Sequence, residues 1–193
     1  MIGLTDSPIN DIDFSEGVEH LSILYLVNTK LNRFDGKKLN TPSIKALYLD
    51  QNNMELFHLP GGFNHLSFLS LDDSNVKCFS AAPTASLEQL SLQHNRITEI
   101  DVTGFPNLRI LNLVGNARLD VILHNYSNPQ TLLYADSMSN CSCCLRNLDT
   151  AFNFLGDMCL TYEKNCSIGS TKTDCEARTI SCKGKEKGVI DDH

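Results

Sequence analysis

No apolar run in this chain approaches the roughly 18 residues a helix needs to cross a bilayer. Positive charge is also scarce: 16 lysines and arginines face 23 aspartates and glutamates, for a formal charge of -7. That balance argues against nucleic acid or an anionic membrane as the main partner. There is no nucleotide-binding glycine loop, no zinc-hydrolase His-Glu pair and no serine-nucleophile elbow. His20, His58, His65, His94 and His124 fall at unrelated positions and form no common cluster. The sequence therefore predicts neither an enzyme nor a cofactor. The first residues, Met1-Ile2-Gly3-Leu4-Thr5-Asp6, carry no basic segment followed by an apolar one, so they do not read as a signal peptide. Cysteine is nearly missing from the first 140 residues, where Cys78 stands alone.

What the chain does have is one spacing, used five times: apolar, two residues, Leu, one residue, Leu, two residues, then a small polar residue. The copies run Leu21-Leu24-Leu26-Thr29, Ile44-Leu47-Leu49-Asn52, Leu66-Leu69-Leu71-Ser74, Leu87-Leu90-Leu92-Asn95 and Leu108-Leu111-Leu113-Asn116. Their starts lie 23, 22, 21 and 21 residues apart. A fixed period of this size marks a solenoid, in which no unit buries its apolar edge alone and stacking builds a continuous core. The two Leu that frame one residue share a face of a short strand, pointing inward. Asn52, Asn95 and Asn116 suit a turn in which the amide satisfies backbone groups of a neighbouring coil; Thr29 and Ser74 are weaker substitutes. Further apolar sets follow, Leu31, Met54, Val76, Ile97 and Leu119, then Phe34, Phe57, Phe79, Ile100 and Ile122. The phenylalanines recur in register and are expected in the core. Pro42, Pro60, Pro83 and Pro106 in the returns disfavour long helices, so extended or short 3₁₀ segments are expected there. Ile2-x-Leu4 and Leu133-x-Ala135 have the spacing of partial repeats at either end.

These motifs resemble the leucine-rich repeat family. The resemblance implies a horseshoe-like repeat solenoid, α/β class by family but here mostly short parallel strands with few helices. The remaining cysteines, Cys141, Cys143, Cys144, Cys159, Cys166, Cys175 and Cys182, crowd the last 53 residues. That region is similar to the disulfide-rich C-terminal cap of extracellular relatives such as Toll-like receptors, Slit proteins and variable lymphocyte receptors, which opens with Cys-x-Cys, as Cys141-Ser142-Cys143 does. The resemblance implies pairs Cys141–Cys166 and Cys143–Cys182, with Cys159–Cys175 as a candidate third bridge and Cys144 left over. Spacing alone does not fix connectivity. The Asn-Pro-Trp lead-in common in such caps is missing, and the chain has no tryptophan. A metal site is the competing reading of the thiols, but the two Cys-x₂-Cys-type pairs usual for structural zinc are missing, so no metal is expected. Asn125, Asn140 and Asn165 each begin an Asn-x-Ser glycosylation triplet. Together these predict residues 1–138 as the repeat array, 139–182 as the cap and 183–193 as a polar tail. They also predict an extracellular setting. The array starts mid-repeat without a cap of its own, which suggests a piece of something longer.

Strand residues alternating with the core Leu line the concave face. One column reads Gly3, Tyr25, Tyr48, Ser70, Ser91, Asn112, Tyr134; the next reads Thr5, Val27, Asp50, Asp72, Gln93, Val114, Asp136. The column before them contains Ile23, Ala46, Phe68 and Gln89. Aromatics and carboxylates thus collect on the first three repeats, and Tyr25, Tyr48, Asp50, Phe68, Asp72 and Asp73 form the candidate ligand-binding set. Tyrosine supplies rigid contact area with a polar tip, and aspartate beside it selects a basic partner surface. Any strand face carries some aromatics through β-propensity alone, which is the competing reading. The expected activity is recognition of a protein or glycoconjugate ligand. An intracellular scaffold and a terminal spacer of a longer receptor remain the alternatives, although seven clustered cysteines sit poorly with a reducing compartment.

Overall fold

A computed structural model describes residues 1–9, 12–14, 18–39, 41–119, 121–123 and 132–135. Among the described residues, eleven short strands lie on two sides of a coil. They are β1 (Ile2–Thr5), β2 (Ile23–Val27), β3 (Ala46–Tyr48), β4 (Leu56–Leu59), β5 (Phe68–Ser70), β6 (Cys78–Ala81), β7 (Gln89–Ser91), β8 (Glu99–Asp101), β9 (Ile110–Asn112), β10 (Val121–Leu123) and β11 (Leu132–Tyr134). Seven of them form one parallel sheet in the order β1-β2-β3-β5-β7-β9-β11. The returns form two small parallel ladders, β4 with β6 and β8 with β10. The only helix among the described residues is a 3₁₀ turn, Gly36–Lys38, where the Asp35 carboxylate accepts the Lys37 N–H. The expected solenoid with extended returns and almost no helix is what forms.

The register follows the repeat. Leu24, Leu47, Leu69, Leu90 and Leu111 stand directly beside one another across the sheet. They and the second leucines, Leu26, Leu49, Leu71, Leu92 and Leu113, are fully or almost fully buried. Leucine side chains at every inward position leave no polar atom to satisfy, so stacking removes apolar surface from water on both sides of each inner coil. At the edge, β1 lies in register with β2, Ile2 beside Leu24 and Gly3 beside Tyr25. There Leu4 keeps 38% of its surface.

Buried amides close the turns. Asn52 Oδ1 accepts the Thr29 and Leu31 N–H groups of the preceding coil, each at 3.1 Å, while its Nδ2 donates to Leu26 O at 2.7 Å and Leu49 O at 2.8 Å. Asn95 does the same for Ser74 and Val76, and Asn116 accepts from Ile97. Ser74 occupies the same position with less capacity: its Oγ accepts Asn52 N and donates to Leu49 O. To bring this residue inside, the chain bends just after each strand. Asp6, Asn28, Gln51, Asp73, His94 and Gly115 all adopt left-handed backbone there, with φ between 52° and 81°. The first five each donate their N–H to the next coil, as in Gln51 N to Asp72 O at 2.8 Å. Glycine is strictly needed at the last: a Cβ at Gly115 would sit 2.9 Å from the His94 backbone.

On the return side Phe57 and Phe79 are buried and stack, ring centres 5.7 Å apart, and half-buried Phe34 stacks on Phe57 at 5.5 Å. Phe105 extends the row edge-on from Phe79 at 6.4 Å. Ile100, expected one repeat after Phe79, is fully buried as the period predicts; Phe105 reaches Phe79 from the position three residues before Leu108, where Phe63 stands before Leu66.

Candidate functional site

The outward residues of the main sheet assemble the concave surface. Pairing of β2 with β3 puts Tyr25 against Tyr48, and pairing of β3 with β5 puts Ala46 against Phe68. Strands in register lie only about 4.8 Å apart, which is stacking distance for rings. Tyr25 and Tyr48 stack with centres 4.4 Å apart and planes 15° from parallel, and Phe68 leans on Tyr48 at 4.8 Å. All three side chains stay partly open to solvent. Burial pushes the pKa of the Tyr48 phenol above its ordinary value, and the nearby Tyr25 adds to that rise.

The carboxylates are tied into the sheet. Asp50 Oδ1 accepts the Ser70 hydroxyl at 2.5 Å and the Asp72 N–H at 2.8 Å. One coil on, Asp72 Oδ1 accepts the Ser91 hydroxyl at 2.7 Å and the Gln93 N–H at 2.8 Å, and its Oδ2 takes the Gln93 amide at 3.0 Å. Each aspartate therefore stitches its coil to the next. Desolvation raises the Asp50 pKa, the bonds from Ser70 and Asp72 pull it back, and the charges of Asp72 and Asp73 push it up again. Asp73 itself is exposed on the left-handed turn beside this column.

So the fold brings Tyr25, Tyr48, Phe68, Asp50 and Asp72 onto one surface, with Asp73 at its rim. Ser70, Ser91 and Gln93 were read in the sequence as members of the concave columns, but not as the residues that hold the carboxylates. Their signal was present: a serine follows each aspartate by 20 or 19 residues, about one coil. Gly3 was seen as a column member, but its consequence was not. It leaves a gap beside Tyr25, where a Cβ would meet only Tyr25 Cβ and Cδ2, at 3.8 and 3.9 Å.

Away from this face, Lys77 pairs with Glu55 at 2.8 Å, and that ammonium holds the Glu55 carboxyl below its ordinary range. Cys78 on β6 is disulfide-bonded, and every other cysteine lies outside the described residues. The proposed bridges Cys141–Cys166, Cys143–Cys182 and Cys159–Cys175, the spare Cys144, the sequons at Asn125, Asn140 and Asn165, and the segments 139–182 and 183–193 also lie outside them. Among the described residues no group of three or more His, Cys, Asp or Glu could hold a metal ion. No helix there is long and apolar enough to cross a membrane.

Residues 85–124 match a family model described as leucine-rich repeats, two copies. No curated protein and no solved structure gives a significant match. Residues 85–124 thus carry leucine-rich repeats, within a solenoid of parallel strands. Such repeats imply a protein-binding module and are typically a non-enzymatic scaffold.

Proposed function

We propose that this chain is an extracellular recognition module that binds a protein, or the protein part of a glycoconjugate, through the concave face of its first three repeats. The observation that carries the reading is the Tyr25–Tyr48–Phe68 stack, an aromatic surface held open to solvent on a rigid sheet. A group already ordered by its neighbours loses little side-chain freedom on binding, so more of its contact energy becomes affinity. Interface hot spots favour tyrosine for that reason.

The extracellular part of the proposal is supported by the disulfide at Cys78, the seven clustered C-terminal cysteines and the three glycosylation triplets. Disulfides persist in oxidising compartments and are rare in the cytosol. Mass spectrometry of the chain secreted from eukaryotic cells, digested without reduction, tests this part. Disulfide-linked peptides that include Cys78 and the cysteines from Cys141 to Cys182, with glycan on Asn125, are expected. Free thiols at all of the C-terminal cysteines overturn the extracellular assignment.

A further inference from the structure

We propose that the concave face takes an arginine-bearing segment of a partner protein, with one guanidinium stacked on Tyr25 in the gap left by Gly3 and a second cation on Asp50. This rests on the concave-face reading and gives it a partner chemistry.

The gap is the first observation. Tyr48 covers one face of the Tyr25 ring, and on the other side the neighbouring position in the column is Gly3, which has no side chain. The ring stack therefore ends at Tyr25 with one face available and one position empty beside it. A planar group entering there continues the stack. Guanidinium is planar, cationic and weakly hydrated, so it stacks on an aromatic face; an ammonium is compact and strongly hydrated and does not.

Charge is the second observation. From Met1 to Val114 the outward positions of the main sheet include no lysine, arginine or histidine, although the chain has 16 lysines and arginines. The charged groups on that face are Asp50 and Asp72, with Asp6 and Asp73 on the turns at its rim, and Asp72 and Asp73 each act on Asp50 by repulsion. Asp72 spends both oxygens on Ser91 and Gln93, whereas Asp50 Oδ2 accepts no bond from a described residue. A cation placed there relieves the repulsion and meets an open acceptor. An acidic partner segment finds no counter-charge on the face.

Spacing links the two points. Gly3 and Asp50 are two strands apart across the sheet and two residues apart along it, about 12 Å in all from standard strand geometry. An extended peptide covers that distance in three to four residues. The segment that fits carries two arginines at that separation.

The test uses the full chain, at low ionic strength, with fluorescein-labelled hexa-arginine, hexalysine and hexaglutamate as probes and fluorescence anisotropy as the readout. Hexa-arginine should bind at least about threefold more tightly than hexalysine, the size expected of one exposed cation–π contact, and hexaglutamate should not bind. Gly3→Leu fills the gap with an aliphatic group that offers no ring face, and should abolish the preference for arginine while leaving the melting temperature intact. Gly3→Val, which fills the same gap, replaces it if the leucine variant does not fold. Asp50→Asn should weaken both cationic peptides, and Glu55→Gln, a carboxylate outside the concave face, should weaken neither. Equal affinity for the two cationic peptides, or a preference for arginine that survives in Gly3→Leu, overturns the arginine site. If binding is lost in a folded Tyr25→Ala, Tyr48→Ala variant but arginine preference is kept in Gly3→Leu, the arginine site alone falls. If hexa-arginine binding also survives the double tyrosine variant, the concave-face reading falls with it.

Discussion

Asp50 carries two demands at the residue scale: it joins its coil to the next through Ser70 and the Asp72 N–H, and it holds a charge in a partly desolvated place. Those demands separate under titration. The folded-state pKa lies above the ordinary 3.8, with desolvation the largest cause. As pH falls, the folded chain therefore takes up this proton before the unfolded chain does. Folding stability contributed by this group rises as pH drops through the raised value and stops changing below about 3.8. Asparagine keeps an Oδ1 acceptor for Ser70 and Asp72 and cannot ionise. Asp50→Asn is thus expected to be at least as stable as the parent at pH 7, with that advantage shrinking as pH approaches 3.8. Urea midpoints of both chains across the range measure it; a difference that does not vary with pH would remove the desolvation account.

Each strand of the main sheet separates its functions by alternation. In β3 the middle residue, Leu47, and just beyond the strand Leu49, face the core, while Tyr48 and Asp50 face out. Leu49→Ala leaves a cavity between coils that the stacked neighbours cannot close, and is expected to cost about 2–5 kcal/mol. Tyr25→Ala with Tyr48→Ala removes a cross-strand pair on a solvated face and should cost about 1 kcal/mol or less. Denaturant unfolding of the two variants reads this directly. A double tyrosine variant that loses as much stability as Leu49→Ala would make the stack a structural element and deprive the concave face of its dispensable hot spot.

Across the whole molecule, stability accumulates from each coil's contacts with its two neighbours. Inner coils have two such interfaces, whereas β1 pairs with β2 alone and leaves Leu4 partly exposed. Native-state hydrogen exchange should therefore be slower in β5 and β7 than in β1. Uniform protection from β1 to β7 would mean that the array opens only as a single unit.

The sequence by itself determined the solenoid, because a period of 21 to 23 residues with leucine at each inward position has one economical packing, coil upon coil. It also determined the concave columns, since side chains alternate with a period of two and pairing in register keeps the columns aligned. Asn52, Asn95 and Asn116 were legible as turn residues for the same reason. Several features required the tertiary structure. Phe105, three residues before Leu108 as Phe63 is before Leu66, meets Phe79 edge-on, a contact between two different repeat positions that only the stacking sets. Asp50 and Asp72 were legible as carboxylates facing a partner, but Ser70, Ser91 and Gln93, which they bond, lie one coil away, where only the stacking register sets the distance. Gly3 became a gap only once Tyr25 was placed beside it. Local spacing fixes which way a side chain points. What it meets there depends on the neighbouring coil, and that contact exists only after the chain has stacked.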